Sequence, residues 1–151
     1  MPSTLLPALP TARYLRIVRA SGWYDLIVTW PFALPWSFAW LYVQLGGLAQ
    51  GLGLPGALHT LDATHMLLAN LLGSVVAVWA VARIVAPSLL LGRLDGAARW
   101  LFAVWQVYAV AHGASAIVLG FTAFELLFGV LQWWRVERRS GAVSAAVPAA
   151  A

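Results

Sequence analysis

The chain has 151 residues, of which 62% are hydrophobic and only 9% are charged. A soluble domain carries roughly 25% charged residues, so this composition excludes an ordinary soluble protein and predicts that lipid surrounds most of the surface. There is no cysteine, which excludes disulfides, thiolate metal sites and thiol nucleophiles.

The first 20 residues predict a cytoplasmic N-terminal segment, with a short interfacial helix over residues 11–20. The apolar run that follows is too long for a cleavable signal peptide, so an uncleaved anchor is expected. Four apolar segments are then predicted to cross the membrane as a single all-α bundle, because about 20 helical residues span its hydrocarbon core. They cover residues 22–43, 63–85, 97–112 and 115–136.

Two prolines interrupt the first segment, Pro31 and Pro35. Proline removes a helical hydrogen bond and clashes with the preceding turn, so a kinked first helix is expected. The alternative is a pocket opened beside Trp36. Gly113 predicts a tight turn between the third and fourth segments, and residues 138–151 are expected to form a disordered cytoplasmic tail.

All nine basic residues are arginines, which together with the many alanines and leucines suggests a GC-rich bacterial genome. With four crossings, every arginine falls on one side of the membrane. The positive-inside rule then places both termini in the cytoplasm and the protein in the bacterial inner membrane. This distribution explains the basic charge and argues against nucleic-acid binding.

Small and polar residues form a stripe along each predicted helix, at a spacing of three or four residues. Membrane helices use such stripes to contact each other. In the fourth segment the stripe consists of Thr122, Glu125, Gly129 and Gln132. Counting from the outer end predicts that Glu125 shares a polar layer with Asn70, Gln106 and Trp36 in the outer half of the bundle. Such a layer would serve as a ligand pocket or a proton site.

A second candidate site contains metal-capable side chains expected at the outer face, namely His59, Asp62, His65 and His112. Imidazole and carboxylate groups suit zinc, copper, iron or nickel. Haem held by His65 and His112 is a further alternative. Asp62 is also a natural N-cap for the second helix, because its side chain can accept a free backbone N–H.

Asp25 lies about one turn inside the inner surface, where arginines end the other helices. We therefore predict a structural ion pair of Asp25 with Arg83 and Arg99. A gate or a proton entry is the alternative.

Familiar catalytic motifs such as a nucleophile elbow, a phosphate-binding loop or a zinc-protease helix are not found in the sequence. We expect a non-enzymatic multi-pass protein that binds a ligand in an outward-facing polar pocket, or an accessory subunit that contacts other membrane subunits or forms a homo-oligomer. One alternative is a metal- or haem-handling protein that uses the outer histidines. Another is an intramembrane enzyme or proton-coupled carrier centred on Glu125.

Overall fold

The computed structural model describes residues 8–137, and this part of the chain is all-helical, as predicted. The predicted tail 138–151 lies outside the described residues. Two short 3-10 helices, Trp30–Ala33 and Ala116–Val118, precede the second and the last α-helix. The α-helices of the described part are α1 Thr11–Thr29, α2 Pro35–Gly51, α3 Ala63–Val85, α4 Leu89–Ala111 and α5 Leu119–Trp133.

The first predicted segment forms two helices rather than one kinked helix. The chain leaves α1 through the 3-10 turn, becomes extended at Leu34 and re-enters a helix at Pro35. Proline at the first helical position is favourable because its missing N–H would have no partner there. The axes of the two parts differ by 106°, so the prolines produce a break. Residues 11–20, predicted as a separate interfacial helix, form the first half of α1.

The boundaries of the remaining helices follow from their caps. α3 coincides with the predicted segment 63–85, and the Asp62 side chain accepts a hydrogen bond from the His65 amide at 2.8 Å. α4 begins eight residues earlier than predicted, because Ser88 caps it by accepting from Leu91 N at 3.1 Å. The charged residues at its start therefore lie within the helix and not in a loop.

The helices pack chiefly as two antiparallel pairs, α1 with α3 and α4 with α5. Gly73 of α3 permits a close approach to the 3-10 turn after α1, since a Cβ there would lie 2.5 Å from the Phe32 carbonyl carbon. The Asn70 amide donates to the Phe32 oxygen at 2.8 Å. The 3-10 turn after α1 is therefore fixed about halfway along α3.

The bundle has two distinct ends. The exposed arginines of the described part lie at one end, which we call the basic end. There, the segment that precedes α1 pairs with the segment that follows α5 through Leu9 and Val136. At the opposite end, Ala57 pairs with Ala114 across the turn between α4 and α5. Gly113 makes this turn with a positive φ of 99°, a conformation that glycine adopts without steric cost.

The exposure of side chains is the reverse of that in a soluble protein, with apolar side chains outside and charged ones inside. Many large apolar side chains are exposed, including Val78 at 72% and Trp36 at 70%, whereas Arg83 and Gln132 are fully buried. In the described part of the chain, α3 and the helical segment Ala116–Trp133 are long and apolar enough to span a membrane. The bent pair Thr11–Ala33 and Pro35–Gly51 would add a third span if it is counted as one. The composition and exposure of these helices indicate a membrane-embedded protein.

Candidate functional site

Polar and charged side chains from four helices meet in the half of the bundle nearer the basic end. Asp95 lies six residues into α4, which places it about 9 Å along the helix axis from that end. We call this group the buried charge cluster. Its members are Ser21 and Asp25 of α1, Trp79 and Arg83 of α3, Asp95 and Arg99 of α4, and Glu125 and Gln132 of α5.

Asp95 lies at the centre of the buried charge cluster. Its Oδ2 accepts hydrogen bonds from Arg83 Nη1 at 2.6 Å and Arg99 Nε at 3.0 Å. The same oxygen accepts from Gln132 Nε2 at 2.7 Å and Ser21 Oγ at 3.3 Å, while Oδ1 accepts from Trp79 Nε1 at 3.0 Å. Asp95 therefore links its own helix to the three others, and both of its oxygens are satisfied as a carboxylate.

The two arginines of the cluster are almost completely buried, with exposures of 0% for Arg83 and 2% for Arg99. Both donate to Asp25 Oδ2, at 2.5 Å from Arg83 Nη2 and 2.8 Å from Arg99 Nη2. Arg99 Nη1 donates to Glu125 Oε2 at 2.9 Å, and its guanidinium lies 4.9 Å from the ring centre of Phe128. Arg83 thus connects carboxylates on α1 and α4, and Arg99 connects carboxylates on α1, α4 and α5.

The local sequence explains why α4 supplies both signs of charge to one place. Asp95 and Arg99 are four residues apart, so they lie one turn from each other on the same helix face. The equivalent face of α5 is the predicted small and polar stripe, because Thr122, Glu125, Gly129 and Gln132 are its buried residues. The two faces contact each other along the antiparallel pair.

The cluster contains more acids than bases. Three carboxyl groups share two guanidinium groups, which gives one formal negative charge in excess if all five groups are ionised. Glu125 is the acid with the fewest bonds, since its one hydrogen bond among the described residues is the one from Arg99. Gln132 adds a buried acceptor, because its Oε1 has no hydrogen-bond partner in the described part. A proton added to Glu125 would neutralise the excess charge and weaken one ion pair, the one with Arg99.

The predicted outer polar layer does not form. Glu125 binds Arg99, Gln106 Oε1 accepts from the Thr122 hydroxyl at 2.7 Å, and Asn70 binds the backbone of Phe32. Trp36 is exposed on α2 and is 70% accessible. Counting along a helix compares depths and does not show which side chains meet, so it overlooked the arginine that reaches Glu125 from the basic side.

The structure also separates the predicted metal ligands. Asp62 contacts His65, with 2.9 Å between Oδ1 and Nδ1, whereas His112 Nδ1 contacts its own helix at the Tyr108 carbonyl. His59 takes part through its backbone oxygen, which accepts from the Tyr42 hydroxyl at 2.6 Å. Within residues 8–137, no three histidine or acidic side chains come together as possible metal ligands. Asp62 lies next to His65 because it caps the first turn of α3. His59 precedes this cap and therefore lies outside the helix.

Of the predicted structural group, Asp25, Arg83 and Arg99 are brought together. Asp95 was not among the predicted site residues, because the third segment was expected to begin at residue 97 and α4 begins at Leu89. The sequence Pro87-Ser88 was the available indication of an earlier start, since serine is a favoured N-cap and proline commonly precedes a new helix.

Comparisons with protein-family models, with curated proteins and with solved structures find no match to this chain.

Proposed function

We propose that the chain is a multi-pass protein of the bacterial inner membrane with four crossings and both termini in the cytoplasm. α3 and the helical segment Ala116–Trp133 are long and apolar enough to span. α4 packs antiparallel along α5, so it traverses the same thickness. α1 and α2 together supply a broken first crossing. The exposed arginines of the described part lie at the basic end, which the positive-inside rule assigns to the cytoplasm.

We further propose that the buried charge cluster is the functional centre and that it reversibly binds one proton. The observation that supports this is the ratio of three carboxyl groups to two guanidinium groups in a buried site. An unbalanced acid near the membrane centre costs roughly 2.5–3.5 kcal/mol on insertion scales. One bound proton removes this excess charge and leaves every arginine paired.

Glu125 is the proposed proton carrier. Asp95 accepts bonds from both arginines and from Trp79, and Asp25 accepts from both arginines. Protonation of either would weaken two ion pairs, whereas protonation of Glu125 weakens a single contact with Arg99. The cost of adding the proton is therefore smallest at Glu125.

A paired acid inside a membrane bundle is typical of proton relays and proton-coupled carriers, so the geometry favours the proton-coupled alternative over a ligand pocket open to the outside. The proposed role needs no nucleophile, because a proton is bound and released without a covalent intermediate. An accessory subunit that moves or senses protons within a larger membrane assembly fits the same chemistry.

The test is infrared difference spectroscopy of the purified full chain in lipid, cycled between alkaline and acidic buffer. We expect the C=O stretching band of a buried carboxylic acid to appear on acidification and to disappear reversibly. Glu125→Gln should abolish the band, while Glu137→Gln should retain it, because Glu137 is exposed at the basic end. A band that persists in Glu125→Gln would show that another acid binds the proton, and the lack of a band in the wild type would show that the cluster is a permanently charged clamp.

A further inference from the structure

A second polar feature lies outside the buried charge cluster, at the basic end. Leu9 N donates to Arg135 O at 2.8 Å, and Glu137 N donates to Leu9 O at 2.9 Å. These two segments and the start of α4 enclose an open cavity of about 590 Å³. The described residues that line it are Ala8, Arg93, Arg135, Val136 and Glu137.

Arg93 is held in place before any ligand arrives. Its Nη2 donates to the Trp134 carbonyl at 2.9 Å. Its guanidinium carbon lies 5.7 Å from the ring centre of Tyr14 and 5.9 Å from that of Trp133. A guanidinium has five N–H donors, so donors remain for a ligand in the cavity. Because the side chain is already ordered, binding through it costs little conformational entropy.

The cavity carries a formal positive charge. Arg93 and Arg135 both line it, against the single acid Glu137, and within residues 8–137 neither arginine forms an ion pair with a carboxylate. Arg13 and Arg16, exposed on the first turns of α1, add to the positive potential at this end. The planar guanidinium presents paired donors that match phosphate oxygens.

We propose that this cavity binds a phosphate group. Arg93 is the fixed hydrogen-bond donor to this phosphate, and Arg135 is the second donor. The apolar walls Ala8 and Val136 and the half-exposed Trp133 suit the border between headgroups and acyl chains, where tryptophan side chains prefer to lie. The phosphate is thus carried by an anionic phospholipid or by a soluble phosphoester. The site is independent of the proton bound at Glu125.

The experiment measures binding to the full chain in nanodiscs. One arm titrates phosphatidylglycerol into phosphatidylcholine discs, and the other titrates glycerol phosphate into discs of phosphatidylcholine alone. Arg135→Gln should weaken binding about tenfold, as expected for the loss of a charge-assisted hydrogen bond. Arg16→Gln, which removes the same charge from the same end but outside the cavity, should weaken it less than twofold.

Arg93→Gln tests the fixed donor, and native tryptophan fluorescence reports whether that variant still folds. Should it unfold, the comparison of Arg135→Gln with Arg16→Gln still decides. Saturable binding in the first arm identifies a lipid headgroup, and saturable binding in the second identifies a soluble phosphoester. Equal losses for Arg16→Gln and Arg135→Gln, or the lack of saturable binding in both arms, would overturn the proposal.

Discussion

Neutralising two acids of the buried charge cluster should have very different effects on stability, although both substitutions remove one negative charge. Asp95 Oδ2 accepts from Arg83, Arg99, Gln132 and Ser21, and its Oδ1 accepts from Trp79. In Asp95→Asn, one side of the side chain becomes a donor. That donor must then face either Trp79 Nε1 or the two arginines.

Glu125→Gln creates no such conflict. The glutamine oxygen can still accept from Arg99 Nη1, and Arg99 keeps its bonds to Asp25 and Asp95. Breaking a buried ion-pair network costs about 3–5 kcal/mol, whereas one weakened hydrogen bond costs about 1 kcal/mol. We therefore expect Asp95→Asn to lower the free energy of unfolding by about 2–4 kcal/mol more than Glu125→Gln does.

The measurement is denaturant-induced unfolding in mixed micelles, followed by tryptophan fluorescence and circular dichroism. Glu137→Gln is the control, since exposed substitutions usually change stability by less than about 0.5 kcal/mol. If Glu125→Gln destabilises the protein as much as Asp95→Asn does, then Asp95 is not the centre of the cluster. The assignment of the spare proton to Glu125 would fail with it.

Two further substitutions test the packing and the cap. Gly73→Ala should lower the free energy of unfolding by about 1–3 kcal/mol, because its Cβ would lie 2.5 Å from the Phe32 carbonyl carbon. Gly120→Ala, with no atom within 4 Å of the added Cβ, should leave the free energy of unfolding unchanged or raise it by up to about 1 kcal/mol. Equal effects of the two alanines in the micelle assay would contradict the close contact. The His65 amide lowers the pKa of the Asp62 carboxyl, so this cap is complete above the ordinary pKa of aspartate and is lost as the pH falls through the lowered value. The rate of amide hydrogen exchange in the first turn of α3, divided by the rate at the same pH in Asp62→Asn, should therefore rise as the pH falls. A ratio that does not change with pH would refute this role.

Local patterns predicted the parts of the fold that local interactions determine. The run from Ala63 to Val85 is long and apolar, and Asp62 is positioned to cap it, so its boundaries could be read directly. Pro31 and Pro35 correctly marked an interruption. The size of the bend was out of reach, because it depends on the Asn70 side chain reaching the Phe32 carbonyl from another helix.

The site was harder to predict because its members are selected by partners distant in sequence. Asp95 resembles a loop residue when only its neighbours are considered, since an ionised carboxylate in lipid is costly. Two arginines, one of them 12 residues away on α3, make its burial possible. Gln132 was visible as part of a polar stripe, but its contact with Ser21 joins residues 111 positions apart.

The arginines serve two purposes, setting the topology and pairing with buried acids, and the sequence alone does not separate them. The positive-inside argument counts all nine, yet Arg83 and Arg99, which the sequence also predicts to pair with Asp25, are buried and bind carboxylates inside the bundle. The proposed topology does not depend on Arg83 and Arg99, because the other arginines of the described part still lie at the basic end. Arg83 has no acid within four residues, because its partners Asp25 and Asp95 lie on other helices. Arg99 does have one: Asp95 lies one turn away, whereas no acid lies within four residues of the exposed Arg16. An arginine with an acid one turn away inside an apolar segment is therefore better treated as a candidate for the interior than as a marker of the cytoplasmic side.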